Sequence, residues 1–154
     1  MNTRRIASLA IGLLALGAGV AAQAQTPFAR AEDAVKYRQG TLFALSHHFT
    51  RIGAMVNGRV PYDARAAVEN AELVAVLAKL PAMGFGPATQ HISRGAKPEI
   101  WTEQARFKEQ NDRFVVESAR LLAAAKTNNL DQLKAAYAST AATCKSCHDA
   151  YRNN

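Results

Sequence analysis

Apolar positions along this chain recur at alternating intervals of four and three, the period that gathers them on one face of an α-helix. In the first such run Arg38, Leu42, Leu45, Phe49, Ile52 and Val56 form the stripe, and Asn57-Gly58 with Pro61 beyond stop it. Asp63 is placed to cap a second helix, whose expected inward face is Leu73, Val76, Leu77 and Leu80, ending at Pro81. A third helix is predicted from near Thr102, with Phe107, Phe114, Ser118 and Leu121 turned inward and Thr127-Asn128-Asn129 breaking it. Asn129 then caps a fourth, with Gln132 in capping-box position and Leu133, Tyr137, Thr140, Cys144, Cys147 and Tyr151 as its stripe. No window alternates with period two, and the longest irregular stretch runs from about Pro81 to Lys97. The expected fold is all-α, an antiparallel up-down four-helix bundle with short first and third connections.

The N-terminus has a different pattern. Met1 to Arg5 is a short basic head, Ile6 to Val20 is apolar, and Ala22-Gln23-Ala24 offers small residues for cleavage. Residues 1–24 therefore read as an export signal, cleaved to leave one domain over residues 25–154. The apolar run is short for a membrane span, and none is expected after cleavage. Thr3-Arg4-Arg5 leaves Sec and twin-arginine export both open. The formal net charge of +7 is spread without blocks, so it implies no nucleic-acid binding.

Candidate chemistry is concentrated near the C-terminus, in Cys144-Lys145-Ser146-Cys147-His148, which holds the only two cysteines. Their spacing is awkward for a structural disulfide, and no further cysteine completes a tetrahedral zinc site. Cys-x-x-Cys-His is the c-type haem attachment sequence, so the cofactor expected inside the bundle is one covalently bound haem c. Cys144 and Cys147 would carry thioethers and His148 would be the axial iron ligand. On a helix these residues stand at i, i+3 and i+4 and share one side. Redox Cys-x-x-Cys motifs instead place the first cysteine at a helix N-terminus after a strand, which this all-helical pattern does not provide. Export agrees, because this attachment is made outside the cytoplasm.

Together with Glu32-Asp33-Ala34-Val35-Lys36-Tyr37-Arg38-Gln39, Phe85-Gly86-Pro87 and Pro98-Glu99-Ile100-Trp101, the segment from Cys144 to Arg152 resembles the cytochrome c′ family. The resemblance covers essentially the whole chain after the signal. It implies that Arg38 meets a haem propionate, with Gln39 at the same edge, and that position 42 faces the iron. Low-spin relatives have a methionine ligand there, whereas high-spin relatives have an apolar residue and five-coordinate iron. This chain has Leu42, which has no lone pair for iron. Met55 is about 20 Å further along the helix at ~1.5 Å per residue, and Met83 is in the loop. His47 and His48 leave the inward stripe, and His91 is in the loop.

A crowded distal side without a hydrogen-bond donor favours NO and CO over dioxygen. The expectation is a periplasmic gas-binding haem protein capable of one-electron transfer and not an enzyme, with a dedicated electron-transport carrier as the alternative. Phe85, Phe107, Phe114 and Tyr151 are expected to line the haem, the Ser93 to Lys97 loop to cover one edge, and Arg152 either to reach the proximal pocket or to fray. The resemblance further implies a homodimer through the first two helices, where Phe43 lies off the core stripe.

Overall fold

In the computed structural model, which describes residues 27–153, four long helices dominate. The expected export segment, residues 1–24, lies outside that range. The long helices are α1 (Ala31–Val56), α2 (Ala64–Leu77), α4 (Gln104–Lys126) and α5 (Leu130–Tyr151), with a one-turn α3 (Glu99–Thr102) before the third of them. No strand occurs among the described residues, only an isolated antiparallel bridge between Ala96 and Arg152. The four-helix architecture matches the sequence pattern.

The local signals act as expected at most ends. After α1 the chain turns at Gly58, whose φ is +68°. Gly58 N–H donates to the Met55 carbonyl at 3.0 Å and Arg59 N–H to the Ala54 carbonyl at 2.9 Å. That pair of bonds is a Schellman motif, which closes the helix on a left-handed residue. Asp63 caps α2 by accepting from Ala66 N–H at 3.0 Å. Asn129 caps α5 by accepting from the N–H groups of Asp131 and Gln132, both at 3.0 Å. The reciprocal arm of the capping box is supplied differently, because Asn129 N–H donates to the Thr127 hydroxyl rather than to Gln132.

Two expectations need correction. The inward face of α2 is Ala67, Asn70, Ala71 and Val74, continuing to Ala78, and not the predicted leucine stripe. Leu73 and Val76 are 44% and 59% exposed. Alanines let α2 approach α1 and α4 closely, and packing density selects that face over hydrophobicity alone. The stretch from Pro81 to Lys97 is also not irregular throughout. It contains two 3₁₀ helices, Pro81–Phe85 and Pro87–Ile92, the first of them tucked against α1.

The solid core occupies one end of the bundle. Ile52, Ala67, Ala71, Val74, Leu121 and Leu133 are fully buried there. At the other end, where the first half of α1 faces the last half of α5, the same helices enclose a cavity of about 730 Å³.

Candidate haem site

Every residue named from the sequence as a site residue lines this one cavity: Arg38, Gln39, Leu42, Cys144, Cys147 and His148. Leu42 and Gln39 reach it from α1, the cysteines and His148 from α5. Its volume falls within the ~300–1,000 Å³ typical of cofactor pockets. Phe85, Phe107, Phe114 and Tyr151 line it as expected, and the rings of Phe85, Phe107 and Tyr151 are linked. Phe107 stands edge-on to Phe85 at 5.1 Å and to Tyr151 at 5.5 Å between centroids.

Arg38 is 5% exposed and has no carboxylate partner among the described residues. Its guanidinium donates to the Gly84 carbonyl at 2.6 Å, the Thr89 hydroxyl at 3.3 Å and the Ser93 hydroxyl at 2.7 Å, and lies 4.2 Å from the Phe85 ring centroid. Burial pushes its pKa down, but an arginine pKa starts so high that the group stays charged. A buried cation held only by neutral oxygens favours an incoming anion.

Arg94 and Arg152 line the same cavity, and no Asp or Glu does among the described residues. Arg94 sits in a loop whose course no periodicity reports, so nothing in the sequence pattern marks it as a cavity residue. The bridge that fixes this loop also ties down the C-terminus, so Arg152 is held rather than frayed. Lys97 N–H donates to the Tyr151 carbonyl at 2.9 Å, and Asn153 N–H to the Gly95 carbonyl at 3.2 Å.

Both thiols are partly buried, and that burial raises their pKa. A redox thiolate needs the opposite shift. They also lie late in α5, far from a helix N-terminus. The packing around His148, followed by the nearby Arg152 charge, lowers its pKa. The neutral imidazole that a metal needs is favoured. Two thiols, an imidazole, an aromatic wall and three cations without an acid together fit a haem with its propionates.

The histidines of α1 do not join this site. His48 Nδ1 is 2.9 Å from Asn70 Oδ1 on α2, while His47 is exposed and packs edge-on against His48. His91 is exposed in the second 3₁₀ helix.

A family model described as Cytochrome C' matches residues 33–152. The chain is 45% identical over 125 residues to a cytochrome c′ of Alcaligenes xylosoxydans xylosoxydans, covering 81% of this chain and 97% of that one. It is 41% identical over 126 residues to a cytochrome c′ of Rubrivivax gelatinosus, covering 81% and 98%. Among solved structures, it resembles the nitric oxide complex of a leucine-to-isoleucine variant of cytochrome c prime from Alcaligenes xylosoxidans. The TM-score is 0.78 at 43% identity, covering 82% of this chain and 99% of that one.

Proposed function

The chain belongs to the cytochrome c′ family, whose members carry covalent haem c, and on that premise we propose that it is a periplasmic gas-binding protein. Cys144 and Cys147 would hold the haem through thioethers, His148 would bind its iron, and Arg38 with Gln39 would meet a propionate edge. When bound, the haem supplies an iron whose remaining position takes a diatomic ligand or leaves the site to pass one electron.

The observation that carries this reading is the character of the α1 wall. Leu42, Leu45 and Phe49, which have no hydrogen-bond donor, line the cavity from α1. Of the polar side chains on that wall, the Ser46 hydroxyl already donates to the Phe43 carbonyl and Gln39 belongs to the propionate edge. With the haem in place Leu42 would stand over the iron, give it no ligand and offer no donor to a polar dioxygen molecule. NO and CO depend less on a donor. The nitric oxide complex of the Alcaligenes xylosoxidans relative supports extending NO binding to this chain. No carboxylate stands at the cavity wall among the described residues to act as a general acid or base, which favours binding over catalysis.

The basic head, apolar run and small-residue site within residues 1–24 are the sequence pattern that supports export to the periplasm. No helix among the described residues is long and apolar enough to cross a membrane. Exposed Phe43 on α1, with Leu73 and Val76 on α2, provides apolar surface for a homodimer through those helices.

The deciding experiment is an absorption spectrum of the ferrous holoprotein with and without CO and NO. A five-coordinate spectrum that changes on gas addition is expected, with tighter CO binding in Leu42→Ala. A six-coordinate spectrum indifferent to CO would instead establish a dedicated electron carrier. A stable oxygenated ferrous form would refute the proposed discrimination.

A further inference from the structure

The register between α4 and α5 is fixed on both sides of Gln110. The Tyr151 hydroxyl donates to Glu103 Oε2 at 3.5 Å, and the Thr140 hydroxyl donates to the Glu117 carbonyl at 3.2 Å. Gln110 lies midway between Glu103 and Glu117, about two helical turns from each, and so on the same α5-facing stripe. Midway between Tyr151 and Thr140 on α5 lies the Cys144 to His148 segment. Gln110 and His148 line the same cavity.

Gln110 Oε1 is buried and has no hydrogen-bond partner, the one such side-chain atom among the described residues. A buried acceptor without a donor is unfavourable, so a partner is expected once the site is complete. The donors at this level are few. The cysteine thiols lose their hydrogens when thioethers form. The Thr143 hydroxyl already donates to the Thr140 carbonyl at 2.7 Å, and Lys145 Nζ is taken by Asp149 at 2.5 Å. Arg152 belongs to the level of Glu103, two turns away along α4. Ser146 is exposed, and Asn111, next to Gln110 on α4, lies off its stripe. That leaves the His148 ring, which lines the cavity with Gln110 and makes no hydrogen bond among the described residues. An imidazole bound to a metal through one nitrogen donates from the other, and its outer partner fixes ring orientation and basicity.

We infer that Gln110 is a positioning residue for the iron ligand, its amide oxygen accepting the hydrogen bond of the His148 nitrogen that does not bind iron. This rests on His148 being that ligand. The bond strengthens electron donation from the imidazole, and with it the hold on ferric over ferrous iron.

Resonance Raman spectroscopy of the ferrous holoprotein tests this through the iron–histidine stretching band. In Gln110→Leu the band shifts to lower frequency and the midpoint potential rises. In Gln110→Glu both shifts reverse, because a carboxylate is the stronger acceptor. A structural role alone does not produce opposite signs. Bands unmoved in both variants, or moved the same way, overturn the inference. If Gln110→Leu fails to retain haem, Gln110→Glu decides alone: an upward shift supports the assignment, and no shift or a downward one overturns it. Absence of the band from the unsubstituted protein overturns the five-coordinate reading, and the signs of the two potential shifts then decide the inference alone. A band that is present but insensitive overturns only the inference.

Discussion

Arg38 and Gly84 meet at closer range than any residue with a side chain allows at position 84. Arg38 Nη1 donates to the Gly84 carbonyl at 2.6 Å, and a Cβ on Gly84 would stand 2.7 Å from the Arg38 Cβ and 2.8 Å from the Ala34 carbonyl oxygen. The first 3₁₀ helix is thereby pressed onto α1 beside the cavity, carrying Phe85 over the guanidinium.

Gly84→Ala is expected to destabilise the holoprotein by ~1–3 kcal/mol, because the Ala34 backbone cannot move aside as a side-chain end would. Urea denaturation measures it. A midpoint equal to that of the unsubstituted protein would show that the 3₁₀ helix yields freely.

Arg38→Leu removes a charged donor from Gly84 and Ser93 and is expected to cost roughly 1–3 kcal/mol. It also removes a buried cation from the cavity wall, so ferric iron becomes easier to hold and the reduction potential falls. Potentiometric titration checks the sign, and a rise in potential would contradict it.

Leu42→Met places a thioether where the leucine stands. The expected product is a six-coordinate low-spin ferrous spectrum, with CO binding weakened at least about tenfold, or ~1.4 kcal/mol. An unchanged five-coordinate spectrum would mean that position 42 does not face the iron.

Tyr137 stacks on Phe49 at 4.3 Å between centroids, and burial raises its phenol pKa. The folded protein therefore holds this proton more tightly than the unfolded chain does. The stabilising contribution is full below the ordinary value of about 10 and is lost as pH rises through the folded value. Denaturation midpoints should fall above pH ~10, and Tyr137→Phe should flatten part of that decline. Equal slopes in the two proteins would exclude Tyr137 as a source.

Legibility in the sequence followed the range of the forces involved. The caps at Asp63 and Asn129 and the turn at Gly58 depend on hydrogen bonds within a few residues, and each stood where its residues indicated. The Cys144, Cys147 and His148 constellation depends only on helical spacing, and all three do line one cavity. The face of α2 departs from its hydrophobic pattern: Leu73 and Val76 are more hydrophobic than the alanines found inside, yet stand exposed. Burial there is decided by how closely three helices approach, which no single helix encodes.

By itself, then, the chain determined four amphipathic helices, their ends, a covalent haem motif and an aliphatic residue at position 42. Those features are local, set by backbone hydrogen bonding, side-chain period and the chemistry of neighbouring residues. Only the tertiary structure decided that the solid core fills one end of the bundle, that Arg38 is held by Gly84, Thr89 and Ser93, and that Arg94 joins the cavity. It alone set Gln110 level with the His148 segment. Each of these depends on contacts between elements far apart in sequence, where close packing chooses among faces that periodicity leaves equivalent.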